Sequence, residues 1–378
     1  MMSSVVVAFP RKLTNKRKAL MLSCAAAAMA AGVLMPQKAR AQAFAAPSIP
    51  EGGNIASVGT ATRTFTGATS ETVTIGSSKT IINWVPDESG AGPTIDFLPS
   101  GNTATFQGDT GVTHYTVLNR VVPDGSRAIS LNGNVIAKLP GGSTGGNVWF
   151  YSPNGIVVGS SAQFDVGGLL LTTADISDFT ADADSFSFSS NASNSTAGIQ
   201  IDAGAKINAL QQDSYVALVA PRIDQDGTVR VDGSAAYIAA QQVTLTMDQG
   251  LFNIQVDAGT DDATGIDHTG ETSGPANAAH TMYMVAVPKN QAMTMLLGGT
   301  IGYDATAVSV ENGQIILSAG SNVVDNFFTS PGGSNASMVI GPASTSFTSS
   351  VRGRALRALR PSASSAGAPS ASWSPAWP

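Results

Sequence analysis

The stretch that decides the fold is Gly146-Asn147-Val148-Trp149-Phe150-Tyr151-Ser152-Pro153-Asn154-Gly155-Ile156-Val157-Val158-Gly159. Two runs rich in β-branched and aromatic residues flank four turn residues. Proline presets φ for the second position of a tight turn, Asn154 tolerates the third and Gly155 suits the exit. The spacing predicts strand, turn, strand, with a further strand in Ala162-Gln163-Phe164-Asp165-Val166-Gly167-Gly168-Leu169.

Outward from this stretch, the chain from Gly59 to Ala319 is a succession of short apolar or alternating runs separated by Gly, Asn, Asp or Ser. Examples are Thr72-Val73-Thr74-Ile75, Tyr115-Thr116-Val117-Leu118 and Val243-Thr244-Leu245-Thr246-Met247. Short strands with regular turn signals predict an all-β fold. Internal repetition separates a sandwich from a solenoid. Ile207 and Tyr215 recur 22 residues on as Val229 and Tyr237, the period of a stacked coil. Each such coil buries its apolar face only against its neighbours.

The first 41 residues read as a cleavable signal peptide. Arg11, Lys12, Lys16, Arg17 and Lys18 precede an apolar stretch from Ala19 to Met35, and Ala39-Arg40-Ala41 supplies the small-x-small pattern for cleavage between Ala41 and Gln42. Those 17 residues fall short of the roughly 20 needed to span a bilayer. Cys24, the one cysteine, lies within the leader, so the mature chain enters an oxidising compartment without disulfides. Its stability must come from packing and backbone hydrogen bonds.

Removing the leader takes 7 of the 20 basic residues and no acid, leaving 13 basic against 26 acidic. That balance argues against nucleic acid and against an anionic membrane surface as partners. Beyond Asp325 there is no acidic residue, and Arg352, Arg354, Arg357 and Arg360 lead into a Ser/Ala/Pro-rich end. Composition predicts a low-complexity, disordered tail over 326–378, either a linker or the product of a reading-frame change near residue 350.

Several segments together resemble the amino-terminal two-partner secretion domain of filamentous haemagglutinin family exoproteins. Ile81-Ile82-Asn83-Trp84, Asp96-Phe97-Leu98-Pro99, Asn119 and Arg120 in Val117-Leu118-Asn119-Arg120-Val121, Gly133-Asn134-Val135 and the turn Ser152-Pro153-Asn154-Gly155 match its motifs in order. Val166-Gly167-Gly168-Leu169, Thr172-Thr173-Ala174-Asp175-Ile176 and Tyr215 to Leu245 continue the match, which covers about residues 50 to 255. The resemblance implies a right-handed parallel β-helix with an amino-terminal cap, a secretion domain over 42–270 and further coils over 271–325. It implies passage through the Sec machinery and the periplasm. The periplasmic POTRA domains of an Omp85-type outer-membrane transporter would then recognise the domain, and the adhesin would be released or held at the cell surface. Host or neighbour-cell glycans or proteins are its expected targets.

The resemblance implies that Asn119, Arg120 and Asn154 are either read by the transporter or are buried turn-formers. Ser152 departs from the family's Asn; its hydroxyl is expected to accept a hydrogen bond from the turn backbone. The family's Asn-Pro-Asn-Leu is absent, with Val122-Pro123-Asp124-Gly125 in a nearby turn.

Catalytic, cofactor and metal sites are not expected. His114, His268 and His280 are scattered, and Asp224-Gln225-Asp226-Gly227 and Asp182-Ala183-Asp184 read as turns rather than calcium loops. Two other classes remain. A β-helical polysaccharide lyase or hydrolase needs clustered charge, whereas the body spreads nine basic residues singly. A self-transporting passenger would have to be truncated before its barrel, since no barrel-like alternation is present in the given sequence.

Overall fold

A computed structural model describes residues 43–46, 52–179, 184–190, 197–248, 251–304, 313–329, 336–341, 346–347, 350–355 and 357–359. The signal peptide, its cleavage residues Ala41 and Gln42, and Asp182-Ala183 lie outside the described residues.

Three parallel ladders run the length of the molecule. The first stacks Ser70–Ile75, Thr103–Gly108, Asn134–Lys138 and Gln163–Asp165, then continues to Thr300–Tyr303. The second stacks Lys79–Trp84, Thr116–Val121, Asn147–Tyr151 and Gly168–Thr172, and reaches Gln314–Ala319. The third, from Ile95–Leu98 through Ile129–Leu131 and Ile156–Val158, is a nine-stranded sheet. One strand from each ladder makes a coil, so the chain is the parallel β-helix expected. No boundary interrupts the ladders at 270, where Glu271–Gly274 pairs with Thr228–Arg230 and with Thr300–Tyr303.

Alternation explains the interior. In Ser70–Ile75 and Thr103–Gly108 every second residue is buried, and Val73, Ile75, Ala104 and Phe106 join one continuous core. Second-ladder strands beyond Lys79–Trp84 differ, being largely buried on both faces: all residues of Gly168–Thr172 and Thr281–Ala286 are buried. Their outer faces lie under antiparallel hairpins that follow the coils, and Trp149, Leu170, Ile238 and Tyr283 form a second apolar cluster with Phe186, Phe188, Leu245 and Phe252. Val243-Thr244-Leu245-Thr246-Met247 belongs to this cover, paired antiparallel with Leu251–Gly259, rather than to the stacked coils.

The 22-residue repeat is half right. Ile207 pairs with Val229 as the repeat requires, but Tyr215 pairs with Ser234 and Leu218 with Tyr237. The pairing breaks between Ala209 and Ser214. There Leu210 is exposed and Asp213 takes φ of 59°, so the loop lengthens one coil without disturbing the ladder.

Parts of the tail expected from 326 onward fall among the described residues and pair as strands, while residues 360–378 lie outside them. Ala336–Ile340 pairs with Met293–Leu297, Ser350–Ala355 with Gln314–Ala319, and Arg357–Leu359 with Ser337–Val339. A rung needs only a few small or apolar residues facing inward, as Ala336 and Met338 do. Low charge and abundant Ser and Ala therefore do not preclude one.

Candidate functional site

Asn119 and Arg120 are neighbours on one second-ladder strand, so their side chains leave opposite faces. Asn119 points into the solenoid and is fully buried. The Trp84 indole N–H donates to its Oδ1 at 2.9 Å, and its Nδ2 donates to the Trp149 carbonyl at 3.1 Å. One amide thus ties the strands of three successive coils, since Ile82 and Phe150 flank Asn119 in register. Both polar ends are satisfied inside the apolar core, as burial demands.

Arg120 points outward and remains partly exposed. Its guanidinium meets Asp175 at 2.9 Å and lies 5.1 Å from the centre of the Tyr151 ring, its register partner. Burial, then the charge of Asp175, raises the Tyr151 hydroxyl pKa above its ordinary value, and Arg120 opposes that rise. The group is a cation held on an aromatic face beside the turn, on the side that solvent reaches.

The turn follows immediately. The Gly155 N–H donates to the Ser152 carbonyl at 3.4 Å, and the Ser152 N–H donates to the Thr172 carbonyl of the next coil at 3.1 Å. Gly155 takes φ of 121°, and a Cβ there would sit 3.0 Å from the Ala128 Cβ and 3.2 Å from the Gly198 carbonyl oxygen. Glycine is required by both conformation and crowding. Asn154 Nδ2 donates to the Gly125 carbonyl at 2.7 Å, one coil earlier. The Glu88 carboxylate in turn accepts from the Asp124 and Gly125 N–H groups at 2.5 and 3.2 Å. The Val122-Pro123-Asp124-Gly125 turn therefore stacks directly between Glu88 and Asn154, a column of corners stapled by side chains.

Ser152 corrects the sequence expectation. Its hydroxyl is buried and has no hydrogen-bond partner among the described residues; the backbone alone closes the turn. Pro153 is half-buried at the corner.

A cleft of about 370 Å³ opens beside the turn, lined by Ser126, Asn154, Val157, Gln200, Arg222 and Asp224 among others. Arg222 Nε lies 2.8 Å from Asp224, so the two charged groups of the lining neutralise each other. Among the described residues no group of three or more His, Cys, Asp or Glu could hold a metal ion. His268 is a core residue bonded to the Gly298 carbonyl and the Thr272 hydroxyl, and burial pushes its pKa down to about 4.

The site residues named from sequence thus divide: Asn119 inside, Arg120 on the outer face, Ser152, Pro153, Asn154 and Gly155 at the corner. Sequence reasoning missed Trp84, Tyr151 and Asp175 as their partners. The alternation of Val117, Asn119 and Val121 on one face was the available signal that Asn119 is interior.

Comparison with known proteins agrees with this geometry. A family model described as the TPS secretion domain matches residues 97–287, half of the chain. Among solved structures, the HMW1 secretion domain from Haemophilus influenzae superposes with a TM-score of 0.51 at 19% identity, covering 80% of this chain and 72% of that one. Curated protein sequences include no match.

Proposed function

The chain belongs to the TPS secretion domain family, whose members are exported by two-partner secretion across the outer membrane to the surface or the medium, and from that premise we propose that it is the export-directing part of an adhesin-type exoprotein. Its partner is an Omp85-type transporter with periplasmic POTRA domains, reached after passage through the Sec machinery and removal by signal peptidase of a leader ending at Ala41. The coils beyond 287 extend the same solenoid. Host or neighbour-cell glycans or proteins are the targets of adhesion.

The observation that supports the reading best is Arg120, left partly exposed and paired with Asp175 over the buried Tyr151 ring beside the stapled corner. A transporter that meets the chain before it folds can read Val117-Leu118-Asn119-Arg120-Val121 as an extended segment. Once outside, burial of the same strand makes the transfer one-way, since coil stacking supplies the free energy where no nucleotide is available. The test is export of Arg120→Ala and Asn154→Ala chains at matched folded stability. A several-fold fall in extracellular protein supports reading of these positions, and unchanged export of both sinks it.

A further inference from the structure

Asparagine followed by glycine is the pair most prone to lose its side-chain amide, because glycine leaves its backbone nitrogen unshielded and free to turn toward the preceding side chain. Among the described residues the pair occurs twice, as Asn132-Gly133 and Asn154-Gly155, where the chain leaves Ile129–Leu131 and enters Ile156–Val158 of the third ladder. At the first, Asn132 Nδ2 donates to Asp96 at 2.7 Å and to Ser130 at 3.2 Å, and the Gly133 N–H donates to the Leu98 carbonyl at 3.0 Å. At the second, the turn bond from the Gly155 N–H to the Ser152 carbonyl is longer, 3.4 Å.

The reaction is intramolecular. The Gly155 nitrogen attacks Asn154 Cγ, a C–N bond forms, and the Cγ–Nδ2 bond breaks. Ammonia leaves with the hydrogen that Gly155 gave up, and a succinimide ring remains. Water then opens the ring at either carbonyl, giving aspartate or isoaspartate at position 154.

The folded corner holds both reacting groups away from this path. Asn154 Nδ2 is bonded to the Gly125 carbonyl at 2.7 Å, so the amide must leave that contact before its carbon can be attacked. The Gly155 nitrogen must give up the hydrogen it donates to Ser152. Gly155 is buried at φ of 121°, with the Ala128 Cβ and the Gly198 carbonyl oxygen 3.0 and 3.2 Å from where a Cβ would stand, so its backbone has little room to turn.

Each product opens the corner that slowed its formation. Aspartate sets a carboxylate against the Gly125 carbonyl oxygen, in the turn whose N–H groups already bind the Glu88 carboxylate. Isoaspartate lengthens the main chain by one carbon just before Ile156, whose register is fixed by Ile129 and Ile199 on either side. We infer that Asn154 is a deamidation site guarded by the fold: it converts while the chain is unfolded, and a converted chain cannot close the stapled corner. On the export reading above, a chain delayed before transport ages at this position, and the purified chain tests the chemistry apart from transport.

The test ages the full-length chain in mildly alkaline buffer, folded or in urea, and maps position 154 by peptide mass spectrometry. Conversion is expected to be slower by about ten-fold or more in the folded chain, since two hydrogen bonds must first open. The urea-aged chain is then refolded and treated briefly with protease, and the surviving pool should be depleted of converted position 154 several-fold. Asn154→Asp, made without ageing, should unfold at a lower urea concentration than the parent, which keeps the question open to measurement where aged chain fails to refold. Equal conversion in the two states overturns the guarding. A surviving pool as converted as the starting chain, or an Asn154→Asp midpoint equal to the parent's, overturns the dependence of the corner on the amide.

Discussion

Replacing Asn119 with Leu asks whether this residue holds the solenoid together or is read by a transporter. Leucine has the same branched four-heavy-atom side chain as asparagine, though it is bulkier, so the position stays filled and no cavity is left. The loss is polar: the Trp84 indole N–H, now 2.9 Å from Asn119 Oδ1, is left buried without an acceptor, and the Trp149 carbonyl loses one donor. An orphaned buried donor costs about 1–3 kcal/mol, so the substitution is expected to destabilise by roughly 2–3 kcal/mol. With a urea m-value of about 3 kcal/mol/M, the midpoint falls by about 0.8 M. Trp84→Phe removes the donor itself, and the Asn119→Leu, Trp84→Phe double variant should cost about 1–2 kcal/mol less than the sum of the singles, because both partners of the bond are then gone. Urea unfolding followed by tryptophan fluorescence and circular dichroism gives the four values. Export is measured on the same chains. An unchanged midpoint refutes the bridging role, and lost export at an unchanged midpoint shows that Asn119 is read directly.

Other consequences follow from the same geometry. Gly155→Ala places a methyl group 3.0 Å from the Ala128 Cβ at a φ of 121°, and thermal unfolding should show a loss of about 1–3 kcal/mol. Arg120→Ala removes a partly exposed ion pair with Asp175 and should change stability by less than about 1 kcal/mol, so a large drop in its melting temperature would contradict the assignment of Arg120 to the outer face. His268, with its pKa pushed down from 6.5 to about 4, stays neutral in the folded chain while the unfolded chain takes up a proton below pH 6.5. Its contribution is therefore intact above pH 6.5 and is lost progressively as pH falls to 4, by about 3 kcal/mol at most. His268→Gln should flatten that part of the pH–stability curve, and an unaltered slope between pH 6.5 and 4 would dismiss the residue as its source.

The turn, the short strands and the stacking were legible because each rests on local chemistry. Pro153, Asn154 and Gly155 specify a corner by backbone preference alone, and alternation in Thr72-Val73-Thr74-Ile75 gives the buried face directly. What escaped was information carried by pairing between coils. Tyr215 and Tyr237 are alike in sequence but separated by three residues in register, because the loop from Leu210 to Asp213 absorbs the difference outside the ladder. Val243 to Met247 looks like another rung since alternation cannot distinguish a stacked coil from an overlying hairpin. The indole partner of Asn119 lies 35 residues away in sequence, one coil earlier. The Ser152 hydroxyl was expected to serve the turn because serine commonly does so, yet it is buried without a partner among the described residues and the backbone alone closes the corner.

Transporter dependence of export is the most direct test of the central claim. The full chain is expressed in cells that carry or lack its Omp85-type transporter, and the protein at the surface and in the medium is quantified against a periplasmic marker. The expected result is extracellular chain only when the transporter is present, with the mature amino terminus at Gln42. Equal amounts outside in the absence of the transporter, or retention in the periplasm in its presence, would contradict the account.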